Sequence, residues 1–405
     1  MARRALIVGP RRRNTEQKHC QGKPEGGRIT RDATAIISQQ ASERQHILHN
    51  TTWLEFDAAA LRHNLAVVKQ LAPGGAILAM LKANGYGHGA NWVADTLGER
   101  AQGFGLARLC EALALREHAP SKRLLLLGTL VDDNTLKHCA KARLDLVIHR
   151  LEDAQRLVGT RLTTPLSIWL KRNVGMNRLG MNHEDFVAAQ QLLVGSKNVK
   201  EVIHMSHFSD ADTPRAEVTE EQAERLFSSS RALGTFPLSL ANSAAIIAHP
   251  HTHAQWQRPG IMLYGDDPTG TLTGNKALRP VMHFKSRIVA LKTVHAGDGV
   301  GYGRRWQASE QRLIATIGAG YADGYPRHAT DGTPLMVNGQ RASLAGRVSM
   351  DLLTADVTDV DHVKVGDEVT LWGQGVSAAE VAERCGTISY ELFTQVSSRV
   401  ERYYD

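Results

Sequence analysis

Cysteine is scarce in this sequence. Four occur in 405 residues, Cys20, Cys110, Cys139 and Cys385, far apart and with no CxxC pair. That spacing supports neither a disulfide framework nor a zinc site, so no metal is expected, and it suits a reducing, cytoplasmic compartment. No apolar run approaches the roughly 20 residues needed to cross a bilayer, which removes the membrane as an expected partner. A strong charge of one sign is missing from most of the chain. The net charge is +7, but residues 1–50 hold ten Lys/Arg and four Asp/Glu, leaving +1 for the remaining 355 residues. The basic balance belongs to this leader and gives no reason to expect nucleic-acid binding by the rest. The leader also lacks the order of a signal peptide. Arg3 and Arg4 precede only the short apolar run Ala5 to Val8, and Arg11, Arg12 and Arg13 follow. Residues 1–50 read as a basic, disordered extension or a start assigned too early, with a basic arm touching RNA or membrane as the alternative. Internal repeats and low-complexity core segments are absent.

What remains is ordinary globular composition, 42% hydrophobic and 22% charged, with enough chain for one large domain and a smaller one. From about Leu54, short β-rich runs alternate with amphipathic stretches. Strands are expected at Ile77–Leu81, Gly103–Ala107, Leu124–Leu127, Leu144–Ile148, Leu166–Leu170, Val202–Met205, Pro237–Leu240 and Ile261–Leu263. Helical patterns occupy Ala90 to Leu97, Glu111 to Arg116, Asp185 to Leu193 and Glu220 to Leu233. Eight strands alternating with helices predict an α/β fold, a (β/α)8 TIM barrel over residues 51–280, with a doubly wound open sheet as the rival. Beyond Pro280 short strands dominate, separated by turns such as Ala296–Gly297–Asp298, Val337–Asn338–Gly339 and Val365–Gly366–Asp367. With one helix at Ser377 to Cys385, residues 281–405 read as a mainly β C-terminal domain.

Barrel chemistry sits where strands end. Reading the ends in order gives Lys82, Arg108, Thr129, His149, Lys171, His207, Ser243 and Arg258, a polar ring around one mouth. Lys82 ends an apolar strand within Leu81–Lys82–Ala83–Asn84–Gly85–Tyr86–Gly87–His88–Gly89. Such a lysine is usually a solvated rim charge. When partly desolvated it becomes a neutral, nucleophilic amine suited to Schiff-base chemistry. Asn242–Ser243–Ala244–Ala245 opens a short helix, where Ser243 reads either as an N-cap or, with exposed amides, as part of a phosphate seat. Arg258–Pro259–Gly260–Ile261 supplies a second loop. Tyr302 lies between glycines in Val300–Gly301–Tyr302–Gly303–Arg304, Arg178 in Gly175–Met176–Asn177–Arg178–Leu179–Gly180, and Met350 in Gly346–Arg347–Val348–Ser349–Met350–Asp351.

These segments, in this order, resemble the alanine racemase family over about 350 residues, and within it the proteobacterial catabolic members. The resemblance implies an enzyme using pyridoxal 5′-phosphate (PLP) to interconvert L-alanine and D-alanine, supplying or recycling D-alanine for peptidoglycan. Lys82 would carry the cofactor. Tyr86, Asn242, Ser243, Gly260, Ile261 and Tyr390 would surround its phosphate, and Arg258 its ring nitrogen. His207 would stand close by, where it could tune the tyrosine. Because a guanidinium is always charged, Arg258 would oppose protonation of that nitrogen. Racemisation needs a base on each face of the α-carbon; the family pairs the lysine with Tyr302 of the partner subunit, which implies a homodimer with shared sites. Arg178 and the Met350 amide would hold the substrate carboxylate, a task that suits the guanidinium fork. Asp351 would buttress that clamp. Tyr321, Arg327, Arg347, Asp212 and Ile388 would line an access corridor. Lys171 matches a lysine that is carbamylated in many relatives. Two positions depart from the pattern: Asn173 replaces a common aspartate, and Ser239 a histidine found in some relatives. A broad-specificity or serine racemase remains the alternative, as does a non-catalytic PLP-binding barrel. The latter lacks a second domain. A PLP decarboxylase of the same barrel type would place a cysteine motif where this chain has Gly–Tyr–Gly.

Overall fold

The computed structural model describes residues 51–213 and 216–405; the extension expected over residues 1–50 lies outside them. The first strand, β1 (Thr52–Phe56), is followed by the helix Ala58–Leu71. Asp57 caps that helix, its carboxylate accepting from the Ala60 amide at 2.7 Å. Eight parallel strands then alternate with helices: β2 (Ala76–Met80), β3 (Gly103–Leu106), β4 (Arg123–Leu126), β5 (Asp145–Ile148), β6 (Leu166–Lys171), β7 (Val199–Met205), β8 (Leu238–Ser239) and β9 (Trp256–Gln257). The sheet order β8-β7-β6-β5-β4-β3-β2-β9 is that of an α/β barrel with β8 and β9 at the seam. Several bonds bridge the seam. Ser239 Oγ donates to the Trp256 carbonyl at 3.0 Å, the Arg258 amide donates to Ala241 O at 3.0 Å, and the Leu238 amide donates to Gln255 Oε1 at 2.9 Å.

The last barrel strand is displaced from its expected place. Ile261–Leu263 lies in a 3-10 turn, Ile261–Tyr264, stopped by Gly265 at φ 98°. The strand is Trp256–Gln257, only two residues long. Ile261, Met262 and Leu263 are fully buried, so an apolar run without periodicity mimicked a strand.

The second sheet contains β10 (Met282–Val294), β13 (Arg312–Ile317), β14 (Pro334–Val337), β15 (Gln340–Leu344), β16 (Leu353–Asp356), β17 (Glu368–Trp372) and β18 (Glu401–Tyr404), after a small hairpin of β11 (Gly299–Val300) and β12 (Trp306–Gln307). Asn338 and Gly339, both at positive φ, make the expected hairpin turn between β14 and β15. β1, grouped in the sequence with the barrel, belongs to this sheet instead. It runs antiparallel to β10 and parallel to β18. One apolar core runs through both sheets and includes Leu54, Trp169 and Trp372. No helix among the described residues is long and apolar enough to cross a membrane.

Candidate active site

Lys82 leaves the end of β2 into an unusual turn. Ala83, Asn84, Gly85 and Tyr86 have φ of 53°, 53°, 63° and 54°. Each non-glycine residue in this left-handed region costs roughly 1–2 kcal/mol, so the turn persists only because its surroundings hold it. The Gly85 and Gly87 amides donate to the Leu81 and Ala83 carbonyls at 2.8 and 2.9 Å. Asn84 Oδ1 accepts from the Ala90 amide at 2.9 Å. Beneath the turn, His88 Nδ1 donates to the Tyr86 carbonyl at 2.9 Å. Burial lowers the His88 pKa to about 3, so the ring stays neutral and its single proton sits on Nδ1.

The turn delivers Lys82 and Tyr86 into a cavity of about 230 Å³ at the barrel mouth. Lys171 and Arg178 reach it from β6 and the loop beyond, and His207 from the end of β7. Asn242, Ser243, Arg258, Gly260 and Ile261 enter from the seam, and Tyr390 from the helix Ser389–Gln395 of the second domain. The structure thus gathers eleven of the expected residues. Of the strand-end ring, Arg108, Thr129 and His149 do not line the cavity.

Asn242, not Ser243, caps the short helix, accepting from the Ala245 amide at 3.0 Å. That frees the Ser243 hydroxyl, which accepts from the amides of Gly260 (2.9 Å) and Met262 (3.3 Å) and ties the two loops together. Gly260 is required by close approach: a Cβ there would stand 2.6 Å from the Tyr86 hydroxyl oxygen. Tyr86 stacks on Tyr264 with centroids 4.8 Å apart and meets Tyr390 at 5.9 Å.

Arg258 is 3% exposed. It donates to Ser239 Oγ (2.5 Å) and to the carbonyls of Ser206 (2.6 Å) and Leu240 (3.0 Å), with His207 Nδ1 at 3.5 Å. All four partners are neutral. Ser239 therefore serves both the seam and this arginine.

Among the described residues, the cavity lining carries Lys82, Lys171, Arg178 and Arg258 and no carboxylate. Burial and the Arg178 charge lower the Lys82 pKa. Burial, then Arg258, Arg178 and Lys82, bring Lys171 down to about 8. Burial and the same cations push His207 well below its ordinary value, so it stays neutral. Arg258 falls to about 10 by burial and remains a cation at neutral pH. A desolvated site with this charge is built to receive anions.

Tyr302, Met350, Asp351, Tyr321, Arg327 and Arg347 do not line the cavity. All six are exposed residues of the second domain. The Tyr321 amide donates to Ser349 O and the Ala322 amide to Met350 O, at 3.0 and 2.9 Å. The missing side chain of Gly301 leaves room for the Arg347 backbone 3.4 Å from where its Cβ would stand. Tyr302 is 71% exposed and Met350 54%. Arg399 bonds both Asp351 and Asp323, at 2.6 and 2.7 Å. Arg327 lines a shallow depression with Tyr321, Thr387 and Glu391. Thr387 and Glu391 also border the opening beside Lys82, with Ile388 and Tyr390.

Residues 56–268 match the family described as alanine racemase, N-terminal domain, and residues 281–404 match alanine racemase, C-terminal domain. The chain belongs to the alanine racemase family. A biosynthetic alanine racemase of Pseudomonas aeruginosa is 43% identical over 354 residues, spanning 86% of this chain and 97% of that one. A crystal structure of biosynthetic alanine racemase from that species overlays with a TM-score of 0.84 at 42% identity, covering 88% of this chain and 99% of the other. Alanine racemase of Acinetobacter baumannii overlays with a TM-score of 0.82 at 34% identity, covering 88% and 99%. The expected likeness to catabolic racemases is not supported, since the Pseudomonas relative is named biosynthetic. Asn173, one of the two positions that depart from the pattern, has a local task. Its Oδ1 accepts from the Gly175 and Asn177 amides, both at 3.1 Å, shaping the loop that carries Arg178.

Proposed function

We propose that the chain interconverts L-alanine and D-alanine with PLP held at Lys82, in the cytoplasm, as a homodimer with shared sites that supplies or recycles D-alanine for peptidoglycan. The observation that carries this reading is the lysine itself: an amine of lowered pKa in a cavity lined by cations and, among the described residues, by no carboxylate, in a chain of this family. PLP supplies an electron sink that acidifies the α-C–H bond of an amino acid bound to it.

The residues fit that group. The gap left by Gly260 against the Tyr86 hydroxyl is space that a Cβ would fill, and four cationic side chains line the cavity. Tyr86, Asn242, Ser243, Tyr390 and the Gly260 and Ile261 backbone would hold the phosphate. Arg258, already bonded to neutral acceptors and still charged, would face the ring nitrogen and keep it unprotonated. That restrains the sink and suppresses side reactions. Neutral His207 adds no charge there.

Arg178 binds the substrate carboxylate through its fork, joined by the Met350 amide. Lys82 Nζ, released once substrate is attached, takes the α-proton of D-alanine. The Tyr302 hydroxyl of the partner subunit returns a proton to the opposite face, and the roles exchange for L-alanine. The exposure of Tyr302 and Met350 supports their serving a neighbouring copy's cavity. A carbamate on Lys171 would set a negative charge near Arg178 in the cavity and orient it. Asp351, held by Arg399, steadies the Met350 loop. Tyr321, Arg327 and Arg347 line the approach.

Borohydride reduction of the PLP-bound protein followed by peptide mapping tests the anchor, and chiral assays of alanine, serine and lysine test the substrate. The label is expected on Lys82 and the fastest turnover on alanine. No label on Lys82 would remove the cofactor assignment, and faster serine turnover would replace alanine as substrate.

A further inference from the structure

The left-handed turn after Lys82 must be held from outside, and the contacts that hold it converge on one side chain. Glu111 sits in the first turn of the helix Leu109–His118, which begins just beyond β3. Its Oε1 accepts from the Ala83 amide at 2.8 Å. Its Oε2 accepts from the amides of Ala107 and Arg108, both at 3.1 Å. One half-buried carboxylate thus joins the residue after the lysine to the end of the neighbouring strand. We propose that Glu111 is a positioning residue for Lys82, fixing where the amine stands in the cavity by clamping the left-handed turn that follows it. The proposal rests on Lys82 being the cofactor lysine.

The geometry says why this residue is acidic. Three N–H groups converge on it, and a carboxylate offers only acceptors. Ala83, Asn84 and Tyr86 all carry side chains that disfavour positive φ. Released from the clamp, Ala83 gains most by leaving that region, and its neighbour Lys82 turns with it. Asn84 and His88 hold the later part of the turn, and among the described residues Glu111 is the side chain that bonds the Ala83 amide next to the lysine, beside the turn's own bonds from the Gly85 and Gly87 amides. Its charge also favours the ammonium form of Lys82, opposing burial and Arg178.

Glu111→Gln keeps length and volume but points an amide –NH2 at an N–H on one side. In the PLP-bound protein, hydrogen exchange of peptides covering residues 82–89 is expected to rise about tenfold, the loss of one charge-assisted hydrogen bond. Peptides from β5 and β6 should not change. For alanine, kcat should fall about tenfold or more while KM moves by less than about twofold, because Arg178 and the carboxylate site are untouched. Glu111→Asp, which keeps the charge but cannot span both sides, should show the same pattern, and serves if the glutamine variant does not fold. Unchanged exchange over 82–89, or faster exchange with unchanged kcat, would overturn the proposal. A uniform rise in exchange across the barrel would also overturn it, as that marks a merely structural role. Failure of the racemase reading would show separately, as a wild-type protein without racemisation.

Discussion

Gly260→Ala tests the cofactor seat with one methyl group. The new Cβ would stand 2.6 Å from the Tyr86 hydroxyl oxygen and 3.3 Å from its Cζ. Tyr86 is 5% exposed and packed on Tyr264 and Tyr390, so its ring can yield only towards the cavity it borders. The slack available is the cavity of about 230 Å³ that Tyr86 borders. Cofactor-free protein can take the methyl by letting the phenol lean into that space. Bound PLP closes the escape, and the strain appears on binding. Overpacking of this kind costs about 1–3 kcal/mol, equivalent to about 5- to 150-fold weaker PLP affinity. Titration of cofactor-free protein with PLP, followed by visible absorbance, measures the affinity, and thermal melts with and without PLP locate the strain. The expected result is an unchanged Tm without cofactor and a smaller stabilisation by it. A lower Tm in the cofactor-free protein with unchanged PLP affinity would refute the reasoning.

Tyr302→Phe should abolish racemisation while borohydride still labels Lys82; near-normal turnover would end the two-base scheme. Mixing Lys82→Ala and Tyr302→Phe subunits should restore activity that neither variant shows alone, measurable by chiral assay after co-refolding, whereas no recovery would exclude shared sites. Ser239→Ala removes an acceptor from Arg258 and a donor across the barrel seam, so the Tm should fall by the equivalent of about 1–3 kcal/mol; an unchanged Tm would show that water replaces both bonds. Lys171 has a pKa near 8 in the fold against 10.5 in its ordinary state. The unfolded chain holds the extra proton between those values, so stability should rise with pH from about 8 to 10.5. Below pH 8 a penalty of roughly 3 kcal/mol is fully present. In cofactor-free melts, Lys171→Met should flatten that rise relative to wild type, and parallel curves would discount the shift.

The barrel was legible because its early strands are largely apolar runs, several of them followed directly by a polar residue, as at Leu81–Lys82. Its last strand was not: β8 falls within the expected Pro237–Leu240, but β9 is two residues long and the closure runs through Ser239, Gln255 and Arg258. β1 was misgrouped since its partners lie far along the chain, and local pattern carries no information on that pairing. For the site, motif order marked the cavity residues well. It missed Glu111, read only as part of a helical pattern. A signal was there: an acidic residue three positions after a strand-end residue is the helix-start spacing in which Glu reaches back to a free amide. Tyr302 and Met350 stand exposed on the second domain; in the proposed dimer a partner subunit would cover them, which one sequence does not spell out.

The placement of β1 between β10 and β18 sets a timetable for synthesis. Trp53, Leu54 and Phe56, almost fully buried in the finished sheet, leave the ribosome before any barrel strand. They then wait through the whole barrel, roughly tens of seconds at ~5–20 residues per second, before β10 arrives, and longer for β18. Throughout that interval an apolar strand has two open edges. The nascent chain is most vulnerable to aggregation there, and a holdase that grips residues 52–56 would raise the yield of folded protein without touching its final stability.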